Sequence, residues 1–427
     1  MRAHLILRGH RASYHGRMIR RRIVLLTAKY PWGPGEEFIT PELPHWVRDD
    51  VDLTIMPWES TDWQREVPDG IRVDGRLDRL RRTQWRKALA VQAFRGGTWR
   101  ELLATVGTGH LHPKAWWRTL VPAAAAELTR AALESLARDH GTIDVAYSYW
   151  FDHQTLGALQ ARATGNVRAV VSRAHRYDIQ EPISPDGRLP FRRWMAPRID
   201  LLAPISDGGL TLARDLFGAL PGNSRTFRLG VPIGEHTAPT PEDPNVIHLL
   251  SVSTFTPVKR VPQLVHTVKE LAARCPGSRI VWCHAGSGPL EAETHRLALD
   301  LGVEVEWLGQ LDREALAEVY RSRPWNFIVN VSSSEGVPVS LMEAMERAIP
   351  VAATAVGSTD ELVAPPGGIL LEPDGTPSQW AEAIQGGLGR SADPAWRQGF
   401  RDEVTAHWNE ERNQRAFVDA LVELAQR

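Results

Sequence analysis

The stretch NVSSSEGVPVSLMEAMERAIPVAATAVGSTDEL, residues 330–362, decides the fold. An apolar run ends at Ser332, and a Ser-rich loop then presents Glu335 and Gly336. Pro338 falls near the first turn of a helical pattern that runs through Met345, where proline is tolerated because the N–H it lacks has no helical partner anyway. A second strand-like run, PVAATAV at 350–356, follows the helix. Strand, helix and strand in that order build a parallel sheet, so the loop brings backbone N–H groups and a helix N-terminus to the sheet's carboxyl edge. Such an edge is an anion site, and phosphate is the anion most often held there.

The same alternation extends in both directions. VIHLLSVS (246–253), RIVWCHAG (279–286), VEVEWLG (303–309), NFIVNVS (326–332) and GGILLEP (367–373) read as buried strands of one α/β unit. RIVLLTA (22–28), VDLTIMPW (51–58), IDVAYSYW (143–150), VRAVVS (167–172) and IDLLAPIS (199–206) read as strands of another. Between strands lie helical patterns such as AAAAELTRAALESLARDHG, ending on Gly141 as a C-cap. We expect a basic, disordered extension over 1–21, with Met18 as a natural start, and a first α/β domain over 22–230. A linker over 231–245 carries Pro232, Pro239, Pro241 and Pro244, a second α/β domain spans 246–393, and helices over 394–427 pack back on the first domain.

Composition removes several functions. Fifty Lys plus Arg against 51 Asp plus Glu leave no global field for nonspecific nucleic-acid binding, so no nucleic-acid partner is expected. Arg8, His10 and Arg11 break up the N-terminus where a secretory signal needs its apolar core, and no run approaches the roughly 20 residues that cross a bilayer. A cytoplasmic location, with association at the inner face of the membrane as its variant, is the expectation. Cys275 and Cys283 are too few for a disulfide framework or a four-ligand zinc site.

Glu335 and Glu343 are eight residues apart, about 12 Å along a helix axis, too far to serve one bond as acid and base. They suit two hydroxyl-bearing rings on either side of a diphosphate at the helix start, because ionised carboxylates accept bonds from paired sugar hydroxyls. Taken singly they are also ordinary loop and helix-surface acids. This spacing, with its flanks, closely resembles the Glu, seven residues, Glu motif of the retaining glycosyltransferases of family 4, also called group 1, which have the GT-B fold: two Rossmann-like domains with parallel sheets facing across a cleft. The likeness runs from about residue 22 to 425 and is strongest over 247–372.

By that resemblance Glu335 contacts the donor-sugar hydroxyls, Glu343 the ribose, and the amides around Gly336, Val337 and Pro338 the sugar and diphosphate. In SVSTFTPVKRVPQLV (251–265), Lys259 and Arg260 stand where two cations would neutralise a leaving diphosphate; a solvated basic turn is the plainer reading. Thr254 replaces an Arg usual in the family. In AGSGPLEAE (285–293), Gly286 and Gly288 allow backbone to approach a base or phosphate, or make a tight turn. His175 in SRAHRYD resembles the family's histidine near the donor sugar. Gly33 and Gly35 in YPWGPGEEFI resemble the first loop, which approaches donor phosphate or acceptor, and Glu36 and Glu37 either bind acceptor or cap the next helix.

The resemblance thus implies a retaining, metal-independent hexosyltransferase of polysaccharide or glycoconjugate biosynthesis. No cofactor is implied beyond a nucleotide diphosphate sugar as donor substrate, UDP- or GDP-linked, and the acceptor is a glycan, a lipid-linked or a small molecule. A nucleotide-sugar epimerase and a noncatalytic nucleotide-sugar binder are the alternatives. Residues 79–100 hold seven basic residues, no acid, and Trp85, Phe94 and Trp99; they fit peripheral contact with an anionic membrane or a solvated helix with its apolar side inward.

Overall fold

The computed structural model describes residues 20–427 except 34, 107–112, 181–186 and 300–301. Nearly all of the N-terminal extension, and with it the expectation of disorder there, lies outside the described residues.

Six strands form the first sheet: β1 (Arg21–Thr27), β2 (Val51–Pro57), β3 (Arg72–Val73), β4 (Ile143–Ser148), β5 (Val167–Ala174) and β6 (Leu201–Pro204). Their order is β3-β2-β1-β4-β5-β6, and every pairing is parallel. The second sheet comprises β7 (Val246–Val252), β8 (Arg279–Ala285), β9 (Glu304–Gly309), β10 (Phe327–Asn330), β11 (Val351–Thr354) and β12 (Ile369–Leu371). Its order, β12-β11-β10-β7-β8-β9, is again all parallel. This is the expected GT-B architecture. Strands covered by helices on both faces read as unbroken apolar runs, and β4 is buried at all six positions. Only β3 escaped the sequence, since two residues carry no pattern.

In both sheets the strand order reverses beside the first strand, with β1 between β2 and β4 and β7 between β8 and β10. The loops leaving the carboxyl ends at such a switch point diverge and open a crevice. The loops after β1, β4, β5, β7 and β10 therefore carry the residues of interest. The helix Pro113–His140 stops at Gly141, whose φ of 90° only glycine adopts easily, and the Gly141 amide donates to Ala137 O.

The tail is divided between the two units. Trp396, Phe400 and Val404 of the helix Pro394–His407 belong to the second core, whereas Phe417, Val418, Leu421 and Val422 of the helix Glu410–Gln426 pack on the first sheet. The crossing is pinned where the Val231 amide donates to Trp408 O and the Glu410 amide donates to Val231 O. A buried Arg173 fastens the last helix: it donates to Tyr147 Oη, Glu42 Oε2, Phe227 O and Gln414 Oε1, and its guanidinium carbon lies 3.9 Å from the Phe417 ring centroid. A fully buried charge is tolerable because its donors are matched to acceptors in this way.

Candidate functional site

The loop after β10 is built to leave its amides open. The Ser332 amide turns back to Asn330 Oδ1 at 2.9 Å and the Ser333 amide donates to Val258 O at 2.8 Å. The amides of Glu335, Gly336 and Val337 then find no acceptor among the described residues. The following helix, Val339–Glu346, starts at Pro338 without a side-chain cap. Unengaged amides and an uncapped helix start together present partial positive charge to the cleft. Gly357 lets this loop close: a Cβ there would lie 1.9 Å from Glu335 O, and the next amide, that of Ser358, donates to Gly336 O.

Glu335 is only 7% exposed and accepts from Lys259 Nζ at 2.6 Å and Asn330 Nδ2 at 3.3 Å. Lys259 ends a short 3-10 turn, Pro257–Lys259, after β7. Arg260 does not share its position. With φ at 51° it turns the other way and donates to Val331 O at 2.5 Å, Ser332 O at 2.8 Å and Pro373 O at 2.8 Å, and its guanidinium lies over the Trp380 ring. Two of its five N–H donors thus hold the base of the β10 loop and a third ties it to Pro373 after β12, and burial pulls its pKa down. The second cation expected at the leaving diphosphate is, in this structure, a strut under the loop.

In the first domain His175 follows β5 and is 8% exposed. Asp178 accepts from its backbone amide at 2.9 Å and lies 3.4 Å from Nδ1. Tyr149 stacks on the imidazole at 5.1 Å and Trp150 lies 4.6 Å away, while Nε2 is buried without a partner. His175 and Glu335 line one cavity of about 240 Å³ that draws its walls from both domains, including Arg176, Ser206, Gly208, Gly336 and Ser358. Arg176 was not singled out in the sequence, although it stands beside His175; its Nε is buried and unpartnered. The domains touch at this cavity, where Ser358 donates to Ser206 Oγ at 2.8 Å and Glu361 accepts from the amides of Asp207 and Gly208.

Glu343 faces elsewhere. It accepts from Tyr320 Oη at 3.1 Å and lines a smaller cavity, about 140 Å³, with Arg313, Glu346 and residues 231–234. Burial raises its pKa. The two glutamates of the spacing motif therefore serve separate cavities.

The glycine pair after β8 serves close backbone packing. A Cβ on Gly286 would lie 1.9 Å from Ser253 O, and one on Gly288 would lie 2.8 Å from Phe255 O. His284 supports this packing from beneath: fully buried, it lies 2.7 Å from Ser251 Oγ and 3.1 Å from Ser253 O, and desolvation lowers its pKa to about 4. At the first loop the Gly33 amide donates to Trp63 O and the Gly35 amide to Glu37 Oε1. Glu36 neither caps the next helix nor faces a cleft, because its carboxylate is buried against the amides of residues 28–30. Those three amides are therefore already engaged by a carboxylate.

Residues 79–100 divide in two. The helix Arg76–Ala93 turns Leu77, Leu80, Trp85 and Leu89 toward the core and leaves Arg82, Arg86 and Lys87 in solvent. The large apolar groups that remain exposed come after it: Phe94 at 88%, with Trp99, Leu103, Trp116 and Trp117. Among the described residues no three His, Cys, Asp or Glu side chains cluster as metal ligands would, and no helix is long and apolar enough to cross a membrane.

Residues 234–388 match the family model of glycosyl transferases group 1. Over that stretch the chain is similar to the family. The chain is 27% identical over 249 residues to the GDP-mannose-dependent monoacylated alpha-(1-6)-phosphatidylinositol monomannoside mannosyltransferase of Corynebacterium glutamicum, covering 52% of this chain and 62% of the relative. It is 30% identical over 198 residues to the D-inositol 3-phosphate glycosyltransferase of Corynebacterium efficiens, covering 44% of this chain and 42% of the relative. The matches thus span less than two thirds of either relative. Among solved structures the whole fold is shared with Anabaena HepE in complex with UDP (TM-score 0.63, 17% identity, 94% of this chain and 100% of that one). It is shared too with the sucrose-phosphate synthase of Thermosynechococcus elongatus (TM-score 0.66, 16% identity, 95% and 99%).

Proposed function

We propose that this chain transfers a glycosyl group from a nucleotide diphosphate sugar to a hydroxyl acceptor with retention of anomeric configuration and without a divalent metal. The observation that carries the reading is the set of unengaged amides at Glu335, Gly336 and Val337, above an uncapped helix start, at a cavity closed from the other side by His175. A diphosphate complements those amides, and Lys259, held on Glu335, neutralises it. The bond from the anomeric carbon to the leaving phosphate oxygen breaks, the bond to the acceptor oxygen forms on the same face, and the acceptor proton passes to the leaving phosphate. His175 Nε2 and Glu335 hold the sugar. Arg176, on the first-domain wall, supplies the second positive charge that Arg260 does not.

UDP and GDP are the bases to favour, since HepE is seen with UDP and the Corynebacterium glutamicum relative is named as GDP-mannose-dependent. A lipid-linked acceptor is supported by that relative's name and by the exposed aromatic residues between Phe94 and Trp117, which with Arg86, Lys87 and Arg100 suit the headgroup layer of an anionic membrane.

The test is thermal unfolding with UDP, GDP, ADP, TDP and CDP, each with and without metal, followed by donor turnover. A ligand at about 100 times its Kd stabilises by about 2.7 kcal/mol, a shift of several degrees. A selective, metal-independent shift with acceptor-dependent turnover supports the reading. Donor consumed without acceptor points to an epimerase or hydrolase, and no shift with any nucleotide refutes the site.

A further inference from the structure

Glu36 has no role in the reading above, yet it is among the most constrained side chains of the first domain. Its backbone is left-handed, φ 57°, a conformation that costs a non-glycine residue about 1 kcal/mol or more and persists only where the surroundings hold it. It is 6% exposed. Oε1 accepts from the Ala28 amide at 3.1 Å and Trp150 Nε1 at 2.6 Å, and Oε2 accepts from the amides of Lys29 at 2.6 Å and Tyr30 at 2.7 Å. Four N–H groups from two loops, those after β1 and β4, meet on one carboxylate.

The bond to Trp150 ties this carboxylate to the cleft. The Trp150 ring lies 4.6 Å from the His175 ring at 49°. Asp178 fixes the Nδ1 end of the ring but leaves its tilt free. The tilt is set by the aromatic wall of Tyr149 and Trp150, and the far edge of the Trp150 indole is held by Glu36. A ring orientation matters here because Nε2, buried and without a partner, lines the cavity shared with Glu335.

We propose that Glu36 is a positioning residue for His175, acting through the Trp150 indole to aim Nε2 into the cavity. The carboxylate also fills the amide nest of residues 28–30 and so holds the first loop in its turn. The kinetic part of the test rests on the glycosyl-transfer reading; the spectroscopic part does not.

In Glu36→Gln one oxygen is exchanged for an NH2 group that faces two N–H donors, either the Lys29 and Tyr30 amides or the Ala28 amide and the Trp150 indole, and the neutral oxygen that remains is a weaker acceptor for the other pair. The Trp150 indole ¹⁵N–¹H resonance, assigned by its loss in Trp150→Phe, is expected to move, and so is the His175 ring Cε1–H resonance. With the donor selected by the nucleotide panel, kcat is expected to fall by up to about 100-fold, the cost of roughly 1 Å of misplacement, while donor KM changes far less. A variant that melts earlier but keeps the wild-type Trp150 and His175 resonances and kcat overturns the proposal. Should Glu36→Gln fail to fold, Trp150→Phe retains all three amide contacts to Glu36 and removes the indole bond together with part of the ring that packs against His175. A wild-type His175 resonance and kcat in that protein overturn the proposal equally. If wild type turns over no donor, the glycosyl-transfer reading fails, and the two resonances still decide the tether.

Discussion

Lys259 Nζ lies 2.6 Å from Glu335 Oε1, which joins the loop after β7 to the loop after β10 at the point where the second sheet reverses its strand order. The pair holds a half-buried ammonium beside three open amides. If it neutralises a leaving diphosphate, Lys259→Met removes about 2.7–4 kcal/mol of transition-state stabilisation, or about 10²–10³ in turnover. Glu335→Gln loses transfer with the fold intact. Because Glu335 is left buried without its partner, Lys259→Met should also melt earlier than the double variant Lys259→Met/Glu335→Gln. Turnover assays and melting curves on the three proteins check both expectations, and wild-type turnover in Glu335→Gln ends the assignment.

Arg260 is expected to act on stability before chemistry. Arg260→Ala leaves the Val331 and Pro373 carbonyls without their donor and Ser332 O with Thr354 Oγ1 alone, at a cost of about 1–3 kcal/mol for a buried group left unsatisfied. Arg260→Gly should recover about 1 kcal/mol of that by relieving the left-handed backbone. Denaturant unfolding measures both. A variant as stable as wild type whose turnover has collapsed would show that Arg260 meets the diphosphate directly.

His284 makes stability depend on pH. Its folded pKa, lowered to about 4, lies below the unfolded value of about 6.5, so the unfolded chain takes up the proton first as pH falls. Its contribution is fully present above about pH 6.5 and is lost progressively down to about pH 4, by no more than about 1.4 kcal/mol per pH unit. Unfolding free energies of wild type and His284→Gln across that range should converge toward acid pH. Parallel profiles would rule out His284 as the titrating group.

The exposed aromatic residues give a binding expectation. The protein should sediment with phosphatidylglycerol vesicles and not with phosphatidylcholine vesicles, and less so as salt shortens the Debye length from about 10 Å at 0.1 M toward about 3 Å at 1 M. Trp99→Ser/Trp117→Ser should reduce sedimentation and leave the nucleotide-induced melting shift unchanged. Equal sedimentation of this variant would remove the membrane from the acceptor reading.

Where the sequence could be read, the information was local. Eleven strands were legible because both faces of each sheet are covered, which turns a strand into a continuous apolar run. The open loop at Glu335 was legible because serines, a glycine and Pro338 mark its turn and helix start within a few residues. What stayed hidden depends on distant partners. Arg260 reads as a free cation until Pro373, 113 residues on, accepts from it, and Glu36 reads as an acceptor ligand or a cap until Trp150, 114 residues on, reaches it. The separation of Glu343 from the Glu335 cavity likewise rests on Tyr320, which belongs to another helix. Gly357 was visible as a glycine, but its need became plain only against the Glu335 carbonyl.

The last helix, Glu410–Gln426, covers the apolar face of the first sheet with Phe417, Val418, Leu421 and Val422. During synthesis that face emerges from the ribosome long before its cover. At about 5–20 residues per second, the roughly 200 residues that follow the first domain take about 10–40 s to appear. For that interval the nascent first domain exposes an apolar strip and an Arg173 guanidinium without its Gln414 acceptor and Phe417 cover, which gives a chaperone time to bind and gives premature termination a sticky product.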